Sequence, residues 1–149
     1  MTLDENDRGG LRRLIYASRF TGPAQNFDEV LRAIIAKSIQ NNRLDDVTGF
    51  LVASEGRFLQ LLEGPGKGVD AIYDRIAGDP RHADLTLIYS GPAERRLFRD
   101  WNMGQHRLGA TDQALLSDVG LESFEPAGLD ADRAERLLAR AGARHLRGG

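Results

Sequence analysis

No cysteine occurs in the sequence, which excludes disulfide frameworks, thiolate metal sites and cysteine nucleophiles together. Long apolar runs are also missing, and nothing approaches the roughly 20 residues needed to span a bilayer. The first ten residues, Met1 to Gly10, are polar and acidic without an apolar centre, so they do not read as a secretory signal. There is little excess of either charge: a net charge of −2 leaves no overall footprint for nucleic acid or an anionic membrane. A cytoplasmic protein is the expectation. The three histidines, His82, His106 and His145, are scattered without metal-ligand spacing, and Gly64–Gly68 lacks the spacing of a phosphate loop. No carboxylate pair or nucleophile–base arrangement stands out either, so the chain does not read as an enzyme.

What is present is a chain of 149 residues, 41% hydrophobic, enough for one domain with a real core. Its organising stretch is Val47–Gly64. Two apolar runs flank Ser54-Glu55-Gly56, where Gly56 can supply the positive φ of a tight hairpin turn. In the second arm Phe58, Gln60 and Leu62 share a face, so Gln60 sits between large apolar neighbours. If that face is buried, the amide must find partners or cost about 1–3 kcal/mol.

Upstream, Leu11–Ser18 has strand composition, with Leu14, Tyr16 and Ser18 on one face. Asn26 with Glu29 makes a serviceable helix start, and the recurrence of Phe27, Val30, Leu31, Ile34, Ile35 and Ile39 predicts a helix over about residues 27–42. Towards its end the stripe turns polar at Ser38, Asn41 and Asn42. Two readings are open there: the stripe has left the core and Asn42 helps close the helix, or these groups face a buried polar ligand. An amide offers a donor beside an acceptor, which suits an adjacent N–H and C=O edge such as a ring imide.

Beyond the hairpin the spacing predicts a second helix over about 67–77, stopped by Gly78-Asp79-Pro80, and a fourth strand at Leu85–Tyr89. A fifth strand is expected at Arg95–Trp101, with Leu97, Arg99, Trp101 and Met103 on one face if the pleat continues, either as plain core or as part of a site. Its basic run, Arg95 to Arg99, reads as a charged strand edge rather than a phosphate track. The order of elements is the split βαβ plan with one strand added: an α+β, ferredoxin-like five-stranded sheet, mostly antiparallel, with two helices on one face. Tyr16 and Gln60 should then meet on adjacent central strands. After about residue 105, Thr111 or Asp112 could cap a short helix and Asp130 a second, and these tail helices are the material left to cover the other sheet face.

Taken together, Leu14-Ile15-Tyr16-Ala17-Ser18, Asn41-Asn42 with Val47-Thr48-Gly49, Phe58–Gly64, Asp79-Pro80-Arg81-His82 and Phe98–Gly104 make the sequence similar to the BLUF family of blue-light sensors that use flavin. The resemblance covers about residues 11–104, dividing the chain into a disordered segment 1–10, a flavin-binding domain 11–104 and a helical extension 105–149. It implies FAD, with FMN also accepted, held between the two helices. It implies that Asn42 holds the ring's C4 carbonyl and N3–H edge with Ser38 and Asn41 nearby. Arg81 would reach the C2 carbonyl side, His82 would contact the ring, and Ile34 would pack on it. Gln60 would lie between Tyr16 and the flavin, with Met103 or Trp101 closing the site.

The resemblance further implies that light moves an electron and proton from Tyr16 and leaves Gln60 rearranged. The change would pass through the fifth strand and tail helices. With only about 45 residues after Gly104, output is expected to go to a separate signalling protein, as from a short stand-alone sensor, and self-association is left open. The main competitor is a light-independent ferredoxin-like module that binds a partner or small effector, with Gln60 and Asn42 as satisfied structural amides. A small hydrolase on the same fold is a third, more remote reading.

Overall fold

A computed structural model describes residues 10–99 and 103–148. The chain forms β1 (Leu11–Phe20), α1 (Phe27–Leu44), β2 (Thr48–Ser54), β3 (Arg57–Pro65), α2 (Gly66–Ala77), β4 (His82–Pro92), β5 (Gly104–Arg107), α3 (Gln113–Asp118) and α4 (Ala131–Gly148). The sheet runs β4-β1-β3-β2-β5, and every pairing is antiparallel except that of β2 with β5. This is the expected α+β plan. Of the expected disordered start, only Gly10 falls within the described residues.

Strand β2 shows why the sheet is central. Six of its seven residues, Thr48 to Ala53, are buried, because both of its faces are covered. Phe50 and Val52 join Ile15, Leu59 and Leu61 in a core closed by Leu115, Leu137 and Leu138 of the tail helices. On the other side Leu51 and Ala53 join Leu14, Tyr16 and Leu62 beneath Leu31 and Ile35 of α1 and Val69 and Ile72 of α2. The tail therefore caps one face and α1 with α2 cap the other. The hairpin turn places Glu55 at φ 51° and Gly56 at φ 78°, two successive positive values that match the twist of the strands it joins.

Helix α1 starts without a side-chain cap from Asn26, which instead ends a short 3-10 turn over Ala24–Asn26. At α4 the expected cap is present: Asp130 Oδ1 accepts the Arg133 N–H at 2.9 Å. That bond, more than any other influence, holds the Asp130 carboxyl below its usual range. Asp112 does not cap α3 through its side chain, but accepts the Gly109 N–H at 2.8 Å and faces His106 Nε2 at 3.1 Å.

The fifth strand is a correction. Residues 95–99 are not a strand, and β5 instead occupies Gly104–Arg107, running parallel to β2 with Phe50 opposite Gly104. The cause is long-range. The Glu63 side chain accepts the Leu97 and Phe98 N–H groups at 2.8 and 3.1 Å, and Arg96 donates to Thr48 Oγ1 and the Asp46 carbonyl, both at 3.0 Å. Backbone donors captured by a side chain are lost to a ladder. The expected charged edge is therefore a docked strap, with Phe98 buried and stacked on Phe50 at 5.0 Å. The division at residue 104 consequently cuts through β5.

Candidate functional site

Tyr16 and Gln60 are direct partners across β1 and β3, both on the face beneath α1 and α2. They are 4% and 3% exposed, too enclosed for water to satisfy their polar ends. The Tyr16 hydroxyl donates to Gln60 Oε1. The other end of the same amide, Nε2, donates to Met103 Sδ at 3.2 Å. Phenol, amide and thioether thus form one buried chain across β1, β3 and the residue leading into β5. Gly49 makes room for it: a Cβ there would lie 2.2 Å from the Leu61 carbonyl oxygen and 3.4 Å from Met103 Cε.

Burial pushes the Tyr16 phenol far above its ordinary value, with the charges of Tyr73 and Asp79 adding to it. The Tyr73 ring meets Tyr16 edge-on at 5.8 Å, and burial raises that phenol as well. Asp79 is held below the usual carboxylate range chiefly by its hydrogen bond from Arg81, against the opposing effect of burial. Arg81 grips it with Nε at 3.0 Å and Nη2 at 2.6 Å. His82 Nε2 lies 2.5 Å from the Ile76 carbonyl oxygen.

Between α1 and α2, above this chain, is a cavity of about 30 Å³ walled by Tyr16, Ile34, Ser38, Gln60 and His82, with Leu51, Phe58, Ile76 and Asp79. Of the residues singled out from sequence, the structure brings Tyr16, Ile34, Ser38, Gln60 and His82 to it and Met103 to Gln60. Asn41, Asn42 and Arg81 are not among its walls. Asn42 is fully buried near the end of α1, where its carbonyl accepts the Val47 N–H at 2.8 Å, and the Arg81 guanidinium is turned to Asp79. Trp101 lies outside the described residues.

Sequence reasoning missed Leu51, Phe58, Ile76 and Asp79 as wall residues. Phe58 was legible as a same-face neighbour of Gln60, and Asp79 precedes the Pro80-Arg81-His82 run already in view. A larger groove of about 980 Å³ surrounds the hairpin turn, but charges of both signs line it, among them Asp28, Glu55, Arg57 and Arg107. The smaller cavity combines apolar walls with converging polar groups.

A family model described as BLUF, sensors of blue-light using FAD, matches residues 11–104. Among curated proteins, photoactivated adenylate cyclase subunit beta of Euglena longa is 34% identical over 98 residues, 66% of this chain and 11% of that protein. The Euglena gracilis subunit gives the same figures. The chain thus spans only about 11% of the length of these relatives. Among solved structures, the dark state of BlrB, a BLUF protein, has a TM-score of 0.71 at 28% identity, over 92% of this chain and 98% of that one. BlsA in its photo-activated state has a TM-score of 0.81 over 88% of this chain and 94% of that one. At 23% identity it speaks to the fold alone.

Proposed function

The chain belongs to the BLUF family of blue-light sensors, whose members bind flavin, and from that membership we propose that Tyr16, Gln60 and Met103 are its photoactive residues. The observation that carries the proposal is the buried Tyr16–Gln60–Met103 chain at the floor of the cleft between α1 and α2.

The residues suit a flavin in kind. Ile34, Ile76 and Phe58 offer apolar contact, while Ser38, His82 and the Gln60 amide offer polar ends on the same cavity. In size the cleft is contracted, far smaller than a tricyclic ring, and loading requires its walls to part. The helix residues Ile34, Ser38 and Ile76, and His82 at the start of β4, are half-buried, whereas Tyr16 and Gln60 below are buried. Asn41, Asn42 and Arg81 enter the proposal as groups that reach the flavin only after such a rearrangement, with Arg81 leaving Asp79.

Bound flavin supplies absorption of blue light and an oxidising excited state. Tyr16 is the residue placed to give up an electron, and its proton is already directed at Gln60 Oε1. Burial keeps that phenol protonated in the dark. Gln60 then has two arrangements of almost equal volume. With its amide reversed, Nε2 faces the Tyr16 oxygen and can donate to it, while Oε1 faces a sulfur that has no proton to give. The bond to Met103 therefore exists in only one orientation, so rearrangement at Gln60 is felt at the entrance to β5. Tautomerisation of the amide would alter the same pair of contacts.

The output passes, in this proposal, through β5 and the tail helices to a separate signalling protein, in a cytoplasmic setting, and the chain is itself no enzyme. The adenylate cyclase in the names of its relatives belongs to those proteins. A light-independent binding module is the second reading, and the contracted cleft is what favours it.

The test is an absorption spectrum of the flavin-loaded chain before and after blue light and again after dark recovery. The proposal expects a reversible red shift of the flavin bands in the wild type and none in Gln60→Leu. A colourless protein that takes up no flavin, or a shift that survives Gln60→Leu, refutes it.

A further inference from the structure

Two cross-strand pairs stand on the same two central strands, three residues apart: Tyr16 opposite Gln60, and Arg13 opposite Glu63. Side chains alternate along a strand, so an odd separation turns the two pairs to opposite faces of the sheet. Tyr16 and Gln60 lie under α1 and α2, whereas Arg13 reaches Glu135 of α4 on the tail side.

The Arg13 guanidinium is spread over three acceptors. Its Nε donates to Glu63 Oε2, Nη1 to Glu135 Oε2 and Nη2 to the Arg95 carbonyl oxygen, each at 2.9 Å. Glu63 also accepts the N–H groups of Leu97 and Phe98, in the strap that leads towards Met103. The two carboxylates differ in setting. The Glu63 side chain is 0% exposed and that of Glu135 42%. Unpairing a buried charge is far more costly than unpairing an exposed one, so the inner bond is durable and the outer one exchangeable.

We propose that Arg13 is a positioning residue that couples the sheet to α4, fixed to Glu63 and holding Glu135 by a bond that opens when β3 shifts at Gln60. The proposal rests on the reading of Gln60 as the light-sensitive amide. Glu63 is on the same strand as Gln60, so a displacement of β3 against β1 is delivered to Arg13. The apolar contacts of Leu137 and Leu138 keep α4 in place when the outer bond opens, and the helix loosens rather than departs.

The experiment is hydrogen exchange of the α4 amides in the flavin-loaded full chain, dark and illuminated, for the wild type, Glu135→Gln and Arg13→Lys. The absorption shift is recorded on each sample. In the wild type, light should speed exchange around Glu135 about two- to fivefold, the range that a half-exposed ion pair supports. In Glu135→Gln that speed should already be present in the dark, with little further gain on illumination and an undiminished absorption shift. Arg13→Lys, which keeps the charge but loses the planar fork, should show the same loss of light response. A wild type that shifts in absorption while α4 exchange is the same in light and dark overturns the coupling alone. So does a Glu135→Gln variant that responds to light like the wild type. A wild type without any absorption shift removes the sensory reading and the coupling with it.

Discussion

Replacing Tyr16 by Phe, Gln60 by Leu, and both together isolates the bond on which the site turns. Each single change keeps the side-chain volume close and removes one end of the hydrogen bond. Tyr16→Phe leaves Gln60 Oε1 without its donor at a residue 3% exposed, and Gln60→Leu leaves the Tyr16 hydroxyl without its acceptor at a residue 4% exposed. A buried polar group left unmatched costs about 1–3 kcal/mol, so each single variant should lose that much stability. For a chain of this length that is a fall of roughly 2–4 °C in melting temperature per kcal/mol. The double variant removes both polar ends, leaves neither orphaned, and should be less destabilised than the sum of the singles by about 1–2 kcal/mol. Urea titration of the four flavin-free proteins under one condition measures that difference. Single losses that simply add, with coupling below about 0.5 kcal/mol, would show that the phenol and amide are not bonded and would remove the basis of the photochemical proposal.

Alkaline pH should expose Tyr16 separately. Its phenol is raised in the folded protein, so the folded state keeps a proton that the unfolded chain sheds above about pH 10. Stability from this group is whole below that pH and falls as pH rises beyond it, by up to about 1.4 kcal/mol per unit, and Tyr16→Phe should lose that slope in urea midpoints taken across pH 9–11. Gly49→Ala should cost about 1–3 kcal/mol or more, because the added Cβ meets a strand carbonyl that cannot swing aside, and thermal melting will report it. Glu63→Ala should cost about 3–5 kcal/mol by leaving Arg13 and two strap N–H groups without their carboxylate, again read from urea midpoints.

The parts of this molecule that were legible in the sequence are those set by local period. Alternation around Gln60 and helical spacing from Phe27 to Ile39 gave the elements, and the split βαβ order set the first and third strands side by side, which the register of Tyr16 against Gln60 reproduces. The fifth strand was not legible. Residues 95–101 alternate acceptably, but the Glu63 carboxylate, more than 30 residues earlier in the chain, takes the N–H groups that such a strand would need. Nor could alternation say where Asn42 or Arg81 would point. Asn42 sits where α1 closes onto β2, and Arg81 has a carboxylate two residues away that outcompetes any distant acceptor.

The two walls of the cleft differ in how freely they can move, and that difference decides how a flavin would be admitted. Tyr16 and Gln60 are fixed by ladder bonds on both sides of β1 and β3 and by the core beneath the tail helices. Across from them, Ile34 and Ser38 of α1 and Ile76 of α2 are only half-buried: the buried anchors of those helices on the sheet are Leu31, Ile35, Val69 and Ile72, and Ile34 and Ile76 pack at the margin of the same core. Side chains that are half in water can be displaced without opening a void, whereas side chains buried between close-packed layers cannot. Loading should therefore rearrange the helix side and leave the Tyr16–Gln60 register intact. Hydrogen exchange before and after flavin uptake should show new protection concentrated in α1, α2 and the Asp79–His82 turn, with β1 and β3 unchanged. Protection that instead spread first through β1 and β3 would mean the sheet itself had been remodelled, and the amide geometry described here would not be the one that meets the ring.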